Sequence, residues 1–319
     1  MYCIKQILYS LLICCCLAAC KDVRQQHVKC VTDKTEDVSL GNDCSFPFIE
    51  IPSLITQPEE QRNYYLKHYW DNYDFSDTVL VNNECVAEQG VAELLFVLLD
   101  SSTSDKQIQY CFKQICCSME KYPHVYKVFS NLIDDYLYNP NSPYYSEKLY
   151  AFYLERILSS EMQESYKSTF RFKLDLIKRN NPGNIASSFV YYLPDGTKTS
   201  LAETVVSGKY LVLFFYDPDC PQCHKIVDDM IADESLKKAV DDGKVTVLAV
   251  YTEGDEDVWL RSLNDMPESW IIGNDKLFIN NNALYDLKAM PSLYLLDANK
   301  RVILKDASFN RICSMMGIF

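Results

Sequence analysis

The chain has 319 residues, 48% of them hydrophobic and 24% charged, with a formal net charge of −13 at pH 7. That excess of carboxylates excludes nucleic acid as a partner, because phosphates demand clustered Lys and Arg, and it matches anionic lipid surfaces poorly. The length suffices for two hydrophobic cores at usual domain sizes of about 100 to 150 residues.

In chain order, the first element has the layout of a secretory signal over residues 1–19. One basic residue, Lys5, precedes an apolar stretch from Ile7 to Leu17 and the small residues Ala18 and Ala19. The apolar part is shorter than the roughly 20 residues that a bilayer crossing needs. Leu17-Ala18-Ala19-Cys20 resembles the lipobox of bacterial lipoproteins, which implies that Cys20 is lipidated and becomes the first residue of the mature protein. A plain cleaved signal is the alternative. The same resemblance places the protein in the bacterial cell envelope, and Lys21 after Cys20 favours the outer membrane, facing the periplasm, over the inner one. Residues 20–45 are polar and aperiodic, as in a flexible tether. Three prolines between Phe46 and Pro58 then read as an extended lead-in.

Residues 46–180 form the expected helical domain. Apolar and aromatic residues recur at intervals of three and four: Leu66, Tyr69 and Trp70; Val91, Leu94, Leu95 and Leu98; Ile108, Phe112, Ile115 and Met119; Val125, Phe129, Leu132 and Tyr136; Leu149, Phe152 and Tyr153; Met162, Tyr166, Phe170, Leu174 and Ile177. The polar run Asp100–Asp105 supplies an N-cap, and Asn139–Pro143 a turn. Five or six helices packed as a bundle are expected, with the tyrosines of this region in its core.

From Asn180-Asn181-Pro182-Gly183 the pattern changes to short strands alternating with helices, so residues 181–319 are expected to be an α/β domain. The strands fall at Ser188–Leu193, Tyr210–Tyr216, Val245–Tyr251, Ser292–Leu296 and Arg301–Lys305. Tyr210–Tyr216 and Val245–Tyr251 are apolar enough to be central strands covered on both faces. Asp297-Ala298-Asn299-Lys300 reads as the turn of a closing hairpin. The fold class is therefore a two-domain α+β chain, an all-α helical bundle followed by an α/β domain.

Fourteen cysteines are present, and nine remain after those of the signal and anchor. An oxidising envelope permits disulfides, but an odd number leaves at least one thiol unpaired. Cys111, Cys116 and Cys117 share a helical pattern and are expected to act as small apolar core groups. No metal is expected, since the four histidines are not spaced to complete a zinc site. The informative pair is Cys220-Pro221-Gln222-Cys223, which follows an apolar strand and opens a helix. There the unpaired N–H groups and the helix dipole favour a thiolate, and proline is tolerated at the first helical position.

Pro182-Gly183, Asp195-Gly196, Leu201, Phe214-Phe215-Tyr216 leading into the Cys-x-x-Cys motif, and Met290-Pro291 before Leu293–Asp297 together carry a resemblance. Residues 181–319 look like the thioredoxin-like domain of bacterial membrane-anchored thiol-disulfide oxidoreductases of the TlpA and ResA kind. The helical part, with Tyr69–Phe75, is similar to a helical domain of unknown function fused to such domains in lipoproteins. The resemblance implies an enzyme that uses a redox-active Cys220–Cys223 disulfide and no other cofactor. Its partners would be protein disulfides or dithiols and a membrane electron donor. It further implies a cis Pro291 that, with Met290, walls the site and pairs with extended substrate. Cys220 would attack and Cys223 resolve. Asp217 and Asp219 before Cys220, with no cation between the cysteines, favour a reducing character.

Three family features are absent. Asp219 replaces the usual tryptophan, Phe214 the buried acid six positions before the first cysteine, and Gln222 the usual proline. Asp219, Tyr216 and His224 are the candidates for proton transfer. Three rivals exist. Cys220–His224 matches the haem-attachment pattern, although the strand before it and Met290-Pro291 fit the redox fold. A peroxidase would need Thr or Ser where Asp217 stands. A non-catalytic scaffold lipoprotein with a structural thioredoxin-like domain is the main alternative.

Overall fold

The computed structural model describes residues 45–318. The expected signal, the anchor Cys20, all but the last residue of the tether, and Cys30 and Cys44 lie outside the described residues.

Helix α1 (Pro58–His68) begins with proline at its first turn and Glu59 and Glu60 beside it, where the positive end of the helix dipole favours acids. After the one-turn α2 (Thr78–Val81), capped by the Asp77 side chain, come α3 (Glu84–Leu98) and α4 (Asp105–Lys121). The polar run between these two does what its composition predicts: Ser104 and Gln107 form a reciprocal capping box at the start of α4. Pro123 cannot continue α4, so α5 (Pro123–Leu137) starts a new direction immediately. Helices α6 (Glu147–Leu158) and α7 (Glu164–Lys178) complete this region, α6 capped by Ser146.

The helices bury their periodic residues against one another. Phe46 from the lead-in stacks on Tyr69 and Tyr73 with ring centroids 5.3 and 5.4 Å apart. Tyr69, Tyr73, Tyr150 and Tyr153 are buried, as expected, whereas Tyr166 is exposed. Cys111 and Cys116 are fully buried. Cys117 is not. It lies exposed on the opposite side of α4, where its sulfur accepts a hydrogen bond from Arg156 at 3.5 Å. One residue along a helix turns a side chain by about 100°, which takes Cys117 off the core stripe that holds Cys116.

The α/β region contains β1 (Val190–Tyr192), β2 (Lys198–Ser200), β3 (Tyr210–Tyr216), α8 (Pro221–Ala232), α9 (Glu234–Asp241), β4 (Val245–Tyr251), α10 (Glu256–Ser262), β5 (Ile271–Asn274), α11 (Phe278–Asn281), β6 (Ser292–Asp297), β7 (Val302–Leu304) and α12 (Phe309–Met316). The seven strands form one sheet in the order β2-β1-β5-β4-β3-β6-β7. Strand β3 is central, parallel to β4 and antiparallel to β6. Its side chains from Leu211 to Tyr216 are all buried, because both sheet faces are covered. Phe214 and Tyr216 pack with Val227 and Met230 of α8 on one face, while Leu213 and Phe215 pack with Tyr285 and Ile279 on the other.

The antiparallel register decides where chemistry can occur. Ser292, the first residue of β6, lies opposite Phe215 near the end of β3. The loop leading into β6 therefore meets the loop leaving β3. Residues 217–223 and 286–291, distant in sequence, are brought to the same edge of the sheet.

Candidate active site

Strand β3 ends at Tyr216, and the chain turns through Asp217 into α8, where the Cys220 N–H donates to the Asp217 carbonyl at 3.1 Å. Cys220 occupies the N-cap position with extended backbone angles (φ −90°, ψ 118°), and Pro221 takes the first helical position. The Cys220 carbonyl accepts the helix's first hydrogen bond, from the His224 N–H at 3.2 Å. Cys220 is consequently half-exposed at the helix mouth. Cys223, one turn later on the inner face of α8, is 1% exposed.

The two thiols are chemically unlike. Burial pushes the Cys223 thiol up to about 12, against the opposing effect of the Asp217 backbone N–H, and the neighbouring Cys220 and the Asp217 carboxylate add to the rise. At neutral pH Cys223 keeps its proton. The Asp217 N–H points at the Cys223 sulfur from 3.5 Å.

Across the cleft the Met290–Pro291 peptide bond is cis. The Cys220 thiol faces the Met290 carbonyl oxygen at 3.5 Å. Met290 and Pro291 are both half-buried, so the structure brings Cys220, Cys223, Met290 and Pro291 into one site. The remaining candidates are placed differently. Asp219 and His224 are exposed on the rim. Tyr216 is buried, and that burial pushes its phenol up to about 12. A phenol that retains its proton at neutral pH can donate a hydrogen bond but cannot take the proton of Cys223.

Asp217 is the group that sequence reasoning undervalued. It was legible only as one of two charges before Cys220, yet it is half-buried and its carboxylate is close enough to act on Cys223. Nothing in its spacing distinguishes it from Asp219; the turn after β3 does. Among the described residues no group of His, Cys, Asp and Glu is arranged to hold a metal ion. No helix among them is long and apolar enough to cross a membrane.

Comparisons with known proteins follow the same division of the chain. Residues 17–180 match the model described as Domain of unknown function (DUF5106), and residues 197–305 match that of a Thioredoxin-like domain. A crystal structure of a thioredoxin-like protein from Bacteroides caccae is 32% identical, covers 85% of this chain and 98% of its own, and superposes with a TM-score of 0.72. The C-terminal domain of an uncharacterized protein from Bacteroides fragilis is 35% identical over 43% of this chain and 98% of that domain, with a TM-score of 0.42. A thiol-disulfide oxidoreductase from Bacteroides fragilis is 18% identical over 42% of this chain and 98% of its own, with a TM-score of 0.37. Among curated proteins none matches. Matched by the family model over half its length and by the Bacteroides caccae relative over most of it, the chain belongs to the DUF5106 family and bears a thioredoxin-like domain in its C-terminal part.

Proposed function

We propose that the protein is a lipid-anchored thiol-disulfide oxidoreductase that reduces or exchanges disulfides of exported proteins through Cys220 and Cys223. The observation that carries this reading is the pairing of a half-exposed sulfur at a helix mouth, which faces the Met290 carbonyl, with a buried, protonated sulfur one turn away. The Cys220 thiolate attacks one sulfur of a substrate disulfide, that S–S bond breaks, and the departing substrate thiolate takes a proton. Cys223 then gives up its proton, for which the half-buried Asp217 carboxylate is the acceptor beside it. Its sulfur attacks Cys220 and expels the second substrate thiolate. The substrate gains two electrons and two protons, and the protein is left with a Cys220–Cys223 disulfide. A dithiol donor at the membrane returns it to the reduced state.

The reducing direction is supported by what surrounds the pair. Asp217 and Asp219 stand just before Cys220, and no cation lies between the cysteines to favour the thiolate-stabilised reduced form of a strong oxidant. Extended substrate would lie against the backbone of Met290 and Pro291. The lipid on Cys20 would hold the protein in the cell envelope, on the outer membrane facing the periplasm.

Replacing Cys223 with serine tests the reading. The variant is expected to accumulate mixed disulfides with envelope proteins through Cys220, released by dithiothreitol and absent from the double variant that also lacks Cys220. No adducts, with only a slight loss of stability, would favour the scaffold alternative.

A further inference from the structure

We propose that Glu147, at the start of α6 in the helical region, is a positioning residue that holds the Met290–Pro291 wall in place against Cys220. The inference rests on the redox reading of the site and deepens it, because it gives the helical region a part in substrate pairing.

Glu147 takes two lysines of the α/β region at once. Its Oε1 lies 2.6 Å from Lys288 Nζ, and its Oε2 lies 2.8 Å from Lys305 Nζ. The lysine side chains are only 5% and 7% exposed. Lys288 also meets Asp286 Oδ2 at 2.8 Å and donates to the Tyr145 hydroxyl at 3.1 Å. The Tyr138 hydroxyl donates to Asp286 Oδ1 at 2.9 Å. Lys305 further donates to the Ile177 carbonyl at 2.7 Å and lies 3.3 Å from Asn181 Oδ1. These ties reach Lys288, close before the wall, and Lys305, which follows β7.

The placement in sequence matters. Lys288 stands two residues before Met290. On the other side of the cis bond, the Ser292 hydroxyl donates to Asp306 Oδ1 at 2.9 Å, and Asp306 is the neighbour of Lys305. The Met290–Pro291 dipeptide is thus bracketed by two anchors, and both lead back to one carboxylate. Burial alone would raise Glu147, but the adjacent Lys288 and Lys305 ammonium groups and the hydrogen bonds they donate outweigh it and hold the carboxyl below its ordinary range. Burial pushes Asp306 up, because its tie is to a neutral hydroxyl and the lysines only partly offset desolvation.

Stability does not require such a network. A buried ion pair contributes little that well-packed apolar residues could not. A carboxylate bridging two buried amines does fix distances, and the object held here is the backbone that extended substrate would pair with. A small aromatic disulfide needs only the Cys220 sulfur, whereas a peptide disulfide needs the wall as well.

The test uses the chain with its helical region intact and compares a peptide disulfide with Ellman's reagent. Glu147→Gln is expected to raise KM for the peptide roughly tenfold, since small misplacements of positioning groups cost this much or more, while kcat and the rate with Ellman's reagent change less than about twofold. Asp134→Asn, which breaks the Tyr150 and Lys173 contacts inside the helical region, serves as the control for general loosening and should not separate the two substrates. Should Glu147→Gln not fold, Ser292→Ala cuts the second anchor without stranding a lysine, and a KM raised about threefold supports the proposal. An unchanged peptide KM, or an equal loss with both substrates, overturns it. A wild-type protein inert toward the peptide overturns the redox reading itself, an outcome seen before any variant is made.

Discussion

Serine at position 220 is expected to abolish disulfide exchange, with a loss of at least about a thousandfold in turnover of a peptide disulfide, the scale reached when a covalent nucleophile is removed. The hydroxyl does not ionise near neutral pH and cannot form a disulfide, so the first step has no substitute. Cys223 cannot take over. It is buried and its thiol is pushed up to about 12, so both access and thiolate fraction are missing. The contrast with Cys223→Ser is diagnostic, because that variant keeps the attacking sulfur and stops after one step. Residual alkylation in Cys220→Ser should map to surface thiols such as Cys117, which sits beside Arg156. Equal turnover by Cys220→Ser and wild type in a peptide disulfide assay would contradict the assignment.

Glu147→Ala is expected to destabilise the folded protein by about 3–5 kcal/mol, the usual cost of removing one partner from a buried ionic cluster. The magnitude comes from the amines left behind: Lys288 and Lys305 would remain desolvated and lose their shared carboxylate. The pH dependence has a definite sign. Glu147 is held below its ordinary value of 4.5 in the folded state, so its contribution is fully present above that pH and is lost as pH falls through the lower folded value. The gap between wild type and Glu147→Ala in denaturant midpoint should therefore be widest near neutrality and narrow below pH 4.5. A gap that stayed constant down to acid pH would show that Glu147 acts by packing rather than by charge.

Much of this architecture was legible before any coordinates. The apolar runs of β3 and β4 have the bounds that the sequence predicts, because a strand buried on both faces has no polar residue to blur its ends. The helices of the first part followed from their apolar spacing, and their starts from proline, serine and aspartate. Strands β2 and β5 were not legible. Lys198–Ser200 is polar, and Ile271–Asn274 is four residues long with a glycine inside it, so neither carries a pattern by itself. Each is made a strand by the neighbour it pairs with. At the site, Cys220, Cys223, Met290 and Pro291 could be singled out from motif and resemblance. Asp217 could not be told from Asp219, and the network of Glu147, Lys288 and Lys305 was invisible. Its members are 141 and 158 residues apart, and only the placement of the start of α6 against the segments before β6 and after β7 brings them together.

The central claim is that Cys220 and Cys223 act as one redox couple. Its most direct test is equilibration of the purified protein in buffers of graded thiol-disulfide potential, followed by alkylation and mass spectrometry of the peptide that holds both residues. The account predicts that the two thiols disappear together in a single two-electron transition, about 30 mV per tenfold change in buffer ratio, at a potential toward the reducing end of the thioredoxin range. Cysteines that oxidise separately, or a pair that stays unreactive across the whole series, would contradict it.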